Sequence, residues 1–404
     1  MSSSSPTSLS RRAPAAGPPR AGAPQAALLV ALSTLAVLGA VLIAPVQPSI
    51  ARAFAGQPGL DALVPLTLTV PALAIALLAP VAGRVVDRVG RVRVLTASLV
   101  LYAVVGTAPL WLDLLPAIVA SRALVGIAEA GVMTCCTTLI GDLFEGERRN
   151  RCFALQTVAT SLSAVVFIAA GGALAAHDWR TPFWLYAVGF LGAVLVPVLL
   201  REPVAVRSGP LPPLDLRGLR VPLLVTFVGG IVFYTPVVEL SFALDRIGVE
   251  STATIGAVSA AAAVATCVGA ASFARLARHR QRGSRPLLPV AFALAGAGLV
   301  GVALAGSVPA LLAGAAVASA GTGLLLPVLL TWALGGVGTE QRGRATGWWT
   351  SALFGGEFVC PLLVLGLADV LGGLPAALAA VAVAALAVAA VLAVVRQPAR
   401  HQRT

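Results

Sequence analysis

The chain carries little charge for its length. Charged residues make up 11% of its 404 residues and hydrophobic residues 58%, whereas a soluble domain carries about 25% charged residues. Apolar runs of about 20 residues, the length that crosses a bilayer as a helix, recur along the whole sequence and are separated by short turns. This scarcity of charge excludes an ordinary soluble domain. It predicts an all-α membrane protein that crosses the bilayer many times.

Lysine is absent from the sequence. Without lysine the chain cannot form a Gly-x-x-x-x-Gly-Lys loop, so ATP bound at such a loop is excluded as the direct energy source. The formal charge of +12 is carried by arginine alone, and the arginines lie almost wholly on alternate loops. Basic proteins often bind polyanions, but this placement indicates membrane topology. We therefore expect no nucleic-acid partner.

Histidine and cysteine are scarce, and neither is arranged for metal binding or catalysis. The three histidines fall in loops or in the tail, so none is available for a proton relay inside the membrane. The five cysteines lie in or beside apolar runs and lack the spacing of a metal or redox site. The sequence predicts no metal site, no cofactor and no enzymatic activity.

Twelve apolar runs are long enough to span the membrane. We predict spans at 27–50, 64–82, 95–112, 115–139, 152–175, 182–200, 221–243, 252–276, 286–306, 309–334, 345–368 and 374–395. Of the 28 arginines, 24 lie in or at the edges of the tails and even-numbered loops, Arg122 lies within the fourth span, and only Arg52, Arg180 and Arg246 lie on the other side. The positive-inside rule then predicts that both termini are cytoplasmic.

The apolar pattern breaks at the midpoint of the chain. Residues 201–220 are rich in proline and mixed charge, and we interpret them as a cytoplasmic linker between the halves 26–200 and 221–396. Residues 1–25, rich in Ser, Pro, Ala and Gly, are expected to be a disordered cytoplasmic tail. Residues 397–404 form a short cytoplasmic tail at the other end.

The two halves repeat a charged pattern. Glu-x-Arg-x-Arg follows the fourth span and again the tenth, 193 positions later. Two six-helix repeats joined by a charged linker are typical of secondary transporters that bind their substrate near the bilayer midplane. The residues expected in these cytoplasmic loops are Asp142, Glu147, Arg149, Glu340 and Arg342.

The loop between the second and third spans concentrates charge and glycine. It resembles the signature Gly-x-x-x-Asp-Arg-x-Gly-Arg of the major facilitator superfamily, and the matching residues are Gly83, Asp87, Arg88, Gly90 and Arg91. The stretches RALVGIAEA, WRTPFWL and RGRATG resemble the superfamily's fourth helix, the start of its sixth and the start of its eleventh. The resemblance implies a twelve-helix transporter that works by alternating access. It also implies that the aspartate latches the two halves in the outward-facing state.

The residue types in this loop suit that role. Its arginines are held at an anionic membrane face, and Gly83 and Gly90 permit a close approach and a tight reversal. The carboxylate of Asp87 is expected to cap or face a helix N-terminus, where the helix dipole favours negative charge. The alternative is that the loop only anchors the topology.

Ionisable groups at membrane depth are costly and usually functional. Arg122 and Glu129 lie seven positions apart in the fourth span, so they share one helix face about 10 Å apart along its axis. That separation prevents a direct pair without bending, although water can bridge the two groups. Desolvation favours the protonated form of Glu129, which makes it the first candidate for the coupling proton. The alternative is a structural carboxylate that hydrogen-bonds to a neighbouring helix.

Two more glutamates lie inside predicted spans. Glu239, in the outer half of the seventh span, shares its stretch with Tyr234 and Pro236; the resemblance places it in a cavity close to Glu129. Glu357 lies mid-span in the eleventh helix at the depth of Glu129. The alternatives are an interfacial position for Glu239 and a helix-packing hydrogen bond for Glu357.

The favoured function is proton-coupled export of a small apolar or cationic, drug-like compound. We expect the protein to be a monomer that lies in the lipid of a bacterial inner membrane. Three glutamates against one arginine at membrane depth predict a net anionic cavity. Against this, Phe167 and Ile168 occupy the places where drug–proton antiporters of the superfamily typically carry Gly-Pro. The alternatives are a permease for a sugar, amino acid or metallophore, and a membrane receptor or scaffold without flux.

Overall fold

The computed structural model describes residues 22–202, 214, 216–278, 285–338 and 341–394. Over these residues the fold is all-helical, and twelve helices are long and apolar enough to cross a membrane. They are α1 (Ala23–Ala53), α2 (Leu60–Val89), α3 (Arg91–Leu110), α4 (Leu115–Leu143), α5 (Gly146–Leu174), α6 (Thr181–Leu199), α7 (Arg220–Arg246), α8 (Thr252–Phe273), α9 (Arg285–Leu304), α10 (Val308–Leu334), α11 (Arg342–Leu371) and α12 (Leu374–Val394). The prediction of twelve spans is confirmed.

The outer surface of the bundle carries large apolar side chains. Leu77, Val104, Leu162, Val198 and Leu304 are each exposed. In water such a surface would cause association, but in hydrocarbon it costs nothing, because lipid tails are as apolar as leucine. Apolar side chains therefore occupy both the core and the outer surface, which explains why the sequence shows no strong amphipathic period.

Several helices run past the ends that hydropathy predicts. The first begins at Ala23, so the last three residues of the expected tail are helical. The second continues to Val89, so most of the glycine- and arginine-rich stretch is helix rather than loop. Only Gly90, at φ 104°, makes the turn into α3. Polar residues can extend these helices because their side chains lie beyond the apolar slab while the backbone hydrogen bonds continue.

The two sets of six helices repeat with a constant offset. Leu115 begins α4 and Val308 begins α10, 193 positions later. The same offset separates the last residues of α1 and α7, Ala53 and Arg246. Helix α4 packs against α2 and α3, and α10 packs correspondingly against α8 and α9. The fold is therefore two six-helix repeats. Of the linker expected at 201–220, residues 203–213 and 215 lie outside the described residues.

The repeats meet along two helix pairs, α2 with α11 and α5 with α8. At the α5–α8 contact Gly172 and Gly256 face one another so closely that a Cβ on Gly172 would overlap with the backbone of α8. At the α2–α11 contact the Ser351 hydroxyl donates a hydrogen bond to the Ala76 carbonyl. Small side chains let the helix backbones approach closely, which is the usual means of helix association in lipid.

Candidate functional site

The first helix is interrupted at mid-membrane. Its helical segments end at Ser33 and Val41, a short 3₁₀ turn covers Ala44–Val46, and α-helix resumes at Gln47. Pro45 and Pro48 lack the N–H groups needed for an unbroken i to i−4 ladder. Such a break leaves carbonyl groups that need donors from elsewhere, because water is absent from the hydrocarbon region.

Arg122 supplies one of those donors. Its Nη2 donates to the Gly39 carbonyl at 2.9 Å, and its Nε donates to the Thr67 carbonyl of α2 at 3.2 Å. The guanidinium carbon lies 5.0 Å from the centre of the Tyr186 ring, which adds a cation–π contact. The side chain is fully buried, and its Nη1 has no hydrogen-bond partner among the described residues. Arg122 thus joins α1, α2, α4 and α6 through one buried positive charge.

Glu129 lies against the same point of α1. Its side chain is 1% exposed, and neither carboxylate oxygen has a hydrogen-bond partner in the described part of the chain. A Cβ on Gly39 would overlap with Glu129 Oε1, so the carboxyl group occupies the space that the glycine leaves. No ion pair with Arg122 is formed, as the seven-residue spacing predicts. The carboxyl group is therefore enclosed by protein without a hydrogen-bond donor in contact with it.

All three tyrosines of the chain belong to this region. The Tyr234 hydroxyl, from α7, donates to the Ala40 carbonyl at 2.6 Å. The Tyr102 hydroxyl, from α3, donates to the Leu35 carbonyl at 2.8 Å, and its ring lies 4.9 Å from that of Tyr186. The interrupted helix is therefore held by phenols from both repeats. Tyr234 is also within electrostatic range of Glu129 and Glu357.

The other two membrane-depth glutamates occupy different surroundings. Glu357 is 4% exposed on α11 and interacts electrostatically with Tyr234, so it joins the region of Glu129 from the second repeat. Glu239 is 6% exposed, but it lines a separate cavity with residues of α1, α2 and α11, and no residue of α4 lines that cavity. The expectation that Glu239 belongs to the cavity of Glu129 is therefore not supported by its placement.

The charged motif after α2 forms a network within the first repeat. Asp87 pairs with Arg91 at 3.2 Å, and Arg91 Nε pairs with Asp142 Oδ2 at 2.8 Å, which ties α2, α3 and α4 together. The Asp87 side chain is 65% exposed, and its only ion pair among the described residues is the one with Arg91. A Cβ on Gly83 would meet no atom within 4 Å, so no close approach there requires a glycine. Arg88 is exposed.

The carboxylate that caps α3 is Glu202 rather than Asp87. Its oxygens accept hydrogen bonds from the backbone N–H groups of Arg91 at 2.5 Å and Val92 at 3.0 Å. Negative charge at this position satisfies free N–H groups and the helix dipole together. The expected interaction exists, but it is made by the residue at the start of the linker.

The charged residues after the fourth and tenth spans are mostly helical. Asp142 lies near the end of α4, Glu147 and Arg149 lie in the first turn of α5, and Arg342 begins α11. The expectation that they form loops is wrong for these four residues, because both helices start within the charged pattern. Glu340 lies outside the described residues.

The sequence profile of the Major Facilitator Superfamily matches residues 29–308. The chain belongs to this superfamily. Its family is one of multi-pass membrane transporters rather than enzymes, as the motifs led us to expect. Substrate and energy coupling are not given by this match.

Individual relatives are more distant. The tetracycline resistance protein, class C, of Escherichia coli is 30% identical over 230 residues, which cover 55% of this chain and 56% of that protein. The multidrug efflux pump LfrA of Mycolicibacterium smegmatis is 27% identical over 221 residues, 54% of this chain and 40% of the pump. The chain thus spans about half the length of these curated relatives.

Solved structures share the fold over nearly the whole chain. A bacterial homolog of the human lysosomal transporter Spinster, in an inward-facing and occupied conformation, aligns with a TM-score of 0.73 at 17% identity and covers 91% of this chain and 95% of its own. The human organic anion transporter MFSD10 aligns with a TM-score of 0.68 at 18% identity, covering 93% and 100%. At these identities the likeness establishes the fold alone.

Sequence reasoning missed several residues of the site. Gly39 was not singled out because nothing local distinguishes it from the other glycines of the chain. Tyr102 and Tyr186 were also missed, although three tyrosines in 404 residues was a usable signal. A hydroxyl in a long apolar run must find a hydrogen-bond partner, so scarce tyrosines in such runs indicate polar contacts between helices.

Proposed function

We propose that the protein is a proton-coupled exporter of small apolar or cationic organic compounds in the inner membrane of a bacterium, with both termini in the cytoplasm. The observation that carries this proposal is the unpartnered, fully enclosed carboxyl group of Glu129 at the break in α1. The relatives named for tetracycline and multidrug resistance support export. The 24-to-3 distribution of arginine supports the orientation.

The coupling follows from the surroundings of Glu129. While the site is closed, the carboxyl group keeps its proton, because neither of its oxygens has a hydrogen-bond partner among the described residues and Arg122 does not pair with it directly. When the site opens to water on the cytoplasmic side, hydration stabilises the carboxylate and the proton leaves to that water. A cationic substrate then pairs with the carboxylate, and opening to the outside replaces it with a proton taken from external water. One proton enters for each substrate cation that leaves.

Arg122 has a supporting role in this cycle. Its guanidinium is fixed by the Gly39 and Thr67 carbonyls, on the same face of α4 as Glu129. A fixed positive charge at this distance stabilises the ionised carboxylate without forming a direct pair that would compete with the substrate. Proton release therefore needs less hydration than an isolated carboxyl group would require.

Proteoliposome transport tests the proposal, with ethidium as a permanent organic cation and tetracycline as second probe. The wild-type protein should accumulate a probe when a pH gradient is imposed. Glu129→Gln preserves the shape of the side chain and removes its titration. It should therefore abolish accumulation of the probe driven by the pH gradient, while sparing counterflow of the probe into preloaded vesicles. Glu145→Gln, which removes an exposed carboxylate, is the control and should behave as wild type. Accumulation by Glu129→Gln would assign the coupling proton elsewhere, first to Glu357.

A second candidate is export of an organic anion. It is favoured by the buried Arg122 guanidinium, whose Nη1 has no hydrogen-bond partner in the described part of the chain. The MFSD10 structure is that of an organic anion transporter. Carboxyfluorescein serves as the anionic probe in the same vesicles. Transport of carboxyfluorescein without transport of ethidium would select the anion and reject the cation.

A further inference from the structure

A cavity of about 230 Å³ lies between α2 and α11, at the ends of these helices remote from the arginine-rich loops. Most of its wall is apolar and comes from Val64, Pro65, Phe242, Val364 and Leu365. The carboxylates of Asp61 and Glu239 also line it, and none of the described residues in its wall is basic. The cavity is thus a small apolar chamber with negative charge and no compensating cation.

The internal repeat relates the α2–α11 contact beside this cavity to the α5–α8 contact. At the α5–α8 contact, Gly172 and Gly256 let the backbones touch. Their counterparts 193 positions away are Leu365 on α11 and Leu63 on α2. Leu365 lines the cavity, and its side chain excludes the backbone contact that Gly172 makes at the equivalent place.

Glu239 is the polar group within this space. It is 6% exposed, and no described residue hydrogen-bonds to it or forms an ion pair with it. A buried carboxylate is normally paired, coordinated or protonated. Asp61, in the first turn of α2, is exposed. The arrangement places one carboxylate inside the chamber and a second one nearer water.

We infer that this cavity binds a small organic cation, with its charged group against Glu239 and its apolar body between α2 and α11. An apolar cavity of about 150 Å³ holds one benzene molecule, so 230 Å³ admits one ring with a small ammonium substituent. The site is distinct from the region of Glu129 and Arg122. That exported cations pass through this site rests on the proposed function. That the cavity binds a cation does not.

Equilibrium binding to the purified full chain in detergent tests the site, without any ion gradient. The probe is phenyltrimethylammonium, which is charged at every pH, and the matched neutral ligand is tert-butylbenzene, which has the same shape. Phenyltrimethylammonium should bind measurably more tightly than tert-butylbenzene. Glu239→Gln should weaken phenyltrimethylammonium binding at least about tenfold, because an ion pair in a largely apolar site is lost, and should leave tert-butylbenzene binding unchanged.

Three further variants make the result specific. Asp369→Asn removes an exposed carboxylate from α11 outside the cavity and should bind as wild type. Ala368→Phe fills the cavity without changing charge and should abolish binding even if Glu239→Gln folds poorly. In a Glu129→Gln background, Glu239→Gln should still weaken phenyltrimethylammonium binding by the same factor, so a failure of proton coupling is distinguishable from a failure of this site.

Clear outcomes overturn the inference. These are absence of phenyltrimethylammonium binding to the wild type, equal affinities for the charged and neutral ligands, and unchanged binding by folded Glu239→Gln. In phosphatidylglycerol nanodiscs the preference for the cation should persist. If added phosphatidylethanolamine competes with phenyltrimethylammonium, the natural ligand is a lipid with an ammonium group. If it does not compete, the natural ligand is a soluble ammonium compound. Either result supports the cation site.

Discussion

Arg52 and Asp245 lie 193 positions apart, the offset that relates the two repeats, and their side chains form an ion pair of 2.6 Å. Equivalent positions of two repeats can touch only on the pseudo-twofold axis between them, so this pair marks the place where α1 and α7 close the bundle. The side chains are 46% and 36% exposed, and such pairs contribute about 0–1 kcal/mol. The pair therefore indicates that the ends of α1 and α7 are closed, and it contributes little to the stability of the fold.

A cross-link at this pair is expected to stop transport. Arg52→Cys with Asp245→Cys, joined by a short bismaleimide, would prevent the ends of α1 and α7 from separating, as alternating access requires. The matched control is Arg180→Cys with Asp113→Cys, which replaces a 2.9 Å ion pair within the first repeat. Vesicle transport should be lost in the first cross-linked protein and kept in the second. Full activity in both would mean that this end never opens.

Gly39→Ala is expected to disturb the site through Glu129. The new methyl group would overlap with Glu129 Oε1, and overpacking of this kind typically costs about 1–3 kcal/mol. Thermal unfolding in detergent should show the loss. Gly366→Ala is the control, because a Cβ there meets no other atom within contact distance.

The double variant Gly39→Ala with Glu129→Ala makes that cause specific. Glu129→Ala removes the clash, so the two changes together should destabilise less than the sum of the single changes. Strict additivity would show that Gly39 is needed for some reason other than the carboxyl group.

Tyr234→Phe is expected to favour separation of the repeats. It removes the hydrogen bond from α7 to the Ala40 carbonyl of α1, and such a bond is worth about 0.5–1.5 kcal/mol, which is roughly a two- to twelvefold population change. Tyr102→Phe removes a comparable bond to the Leu35 carbonyl inside the first repeat. Spin labels at Ala55 and Glu250 should show a wider distance distribution for Tyr234→Phe only. Equal distributions in both variants would count against an inter-repeat role for Tyr234.

Glu202→Gln and Asp87→Asn should separate a helix cap from a conformational latch. Glu202 accepts two backbone N–H groups of α3, so losing its charge should lower the unfolding free energy by up to about 1 kcal/mol. Asp87 is mostly exposed, so Asp87→Asn should leave unfolding unchanged. If Asp87 is a latch, transport by Asp87→Asn should nevertheless fall sharply. Wild-type transport by Asp87→Asn would reduce the motif to a topology anchor.

The sequence alone determined the class of the protein and the number of its helices. Composition excludes a soluble fold because too few charged residues are present to cover a surface, and apolar runs of bilayer length have only one stable conformation in lipid. The sequence also identifies the charged residues inside those runs, above all Arg122 and Glu129, because an ionisable group at membrane depth is costly and usually functional. The length of an apolar run and the charges within it depend only on the order of residues, so both can be predicted from the sequence.

Only the tertiary structure decided which of these groups meet. Helix α1 breaks at a point where Gly39 makes room for Glu129 and offers its carbonyl to Arg122, and no local pattern encodes that coincidence. Glu239 differs from Glu129 because it lines a cavity between α2 and α11 that no residue of α4 reaches. Glu202 rather than Asp87 caps α3, because the chain after α6 returns to that helix end. These contacts depend on side-chain size and helix position across the whole bundle, which hydropathy does not record.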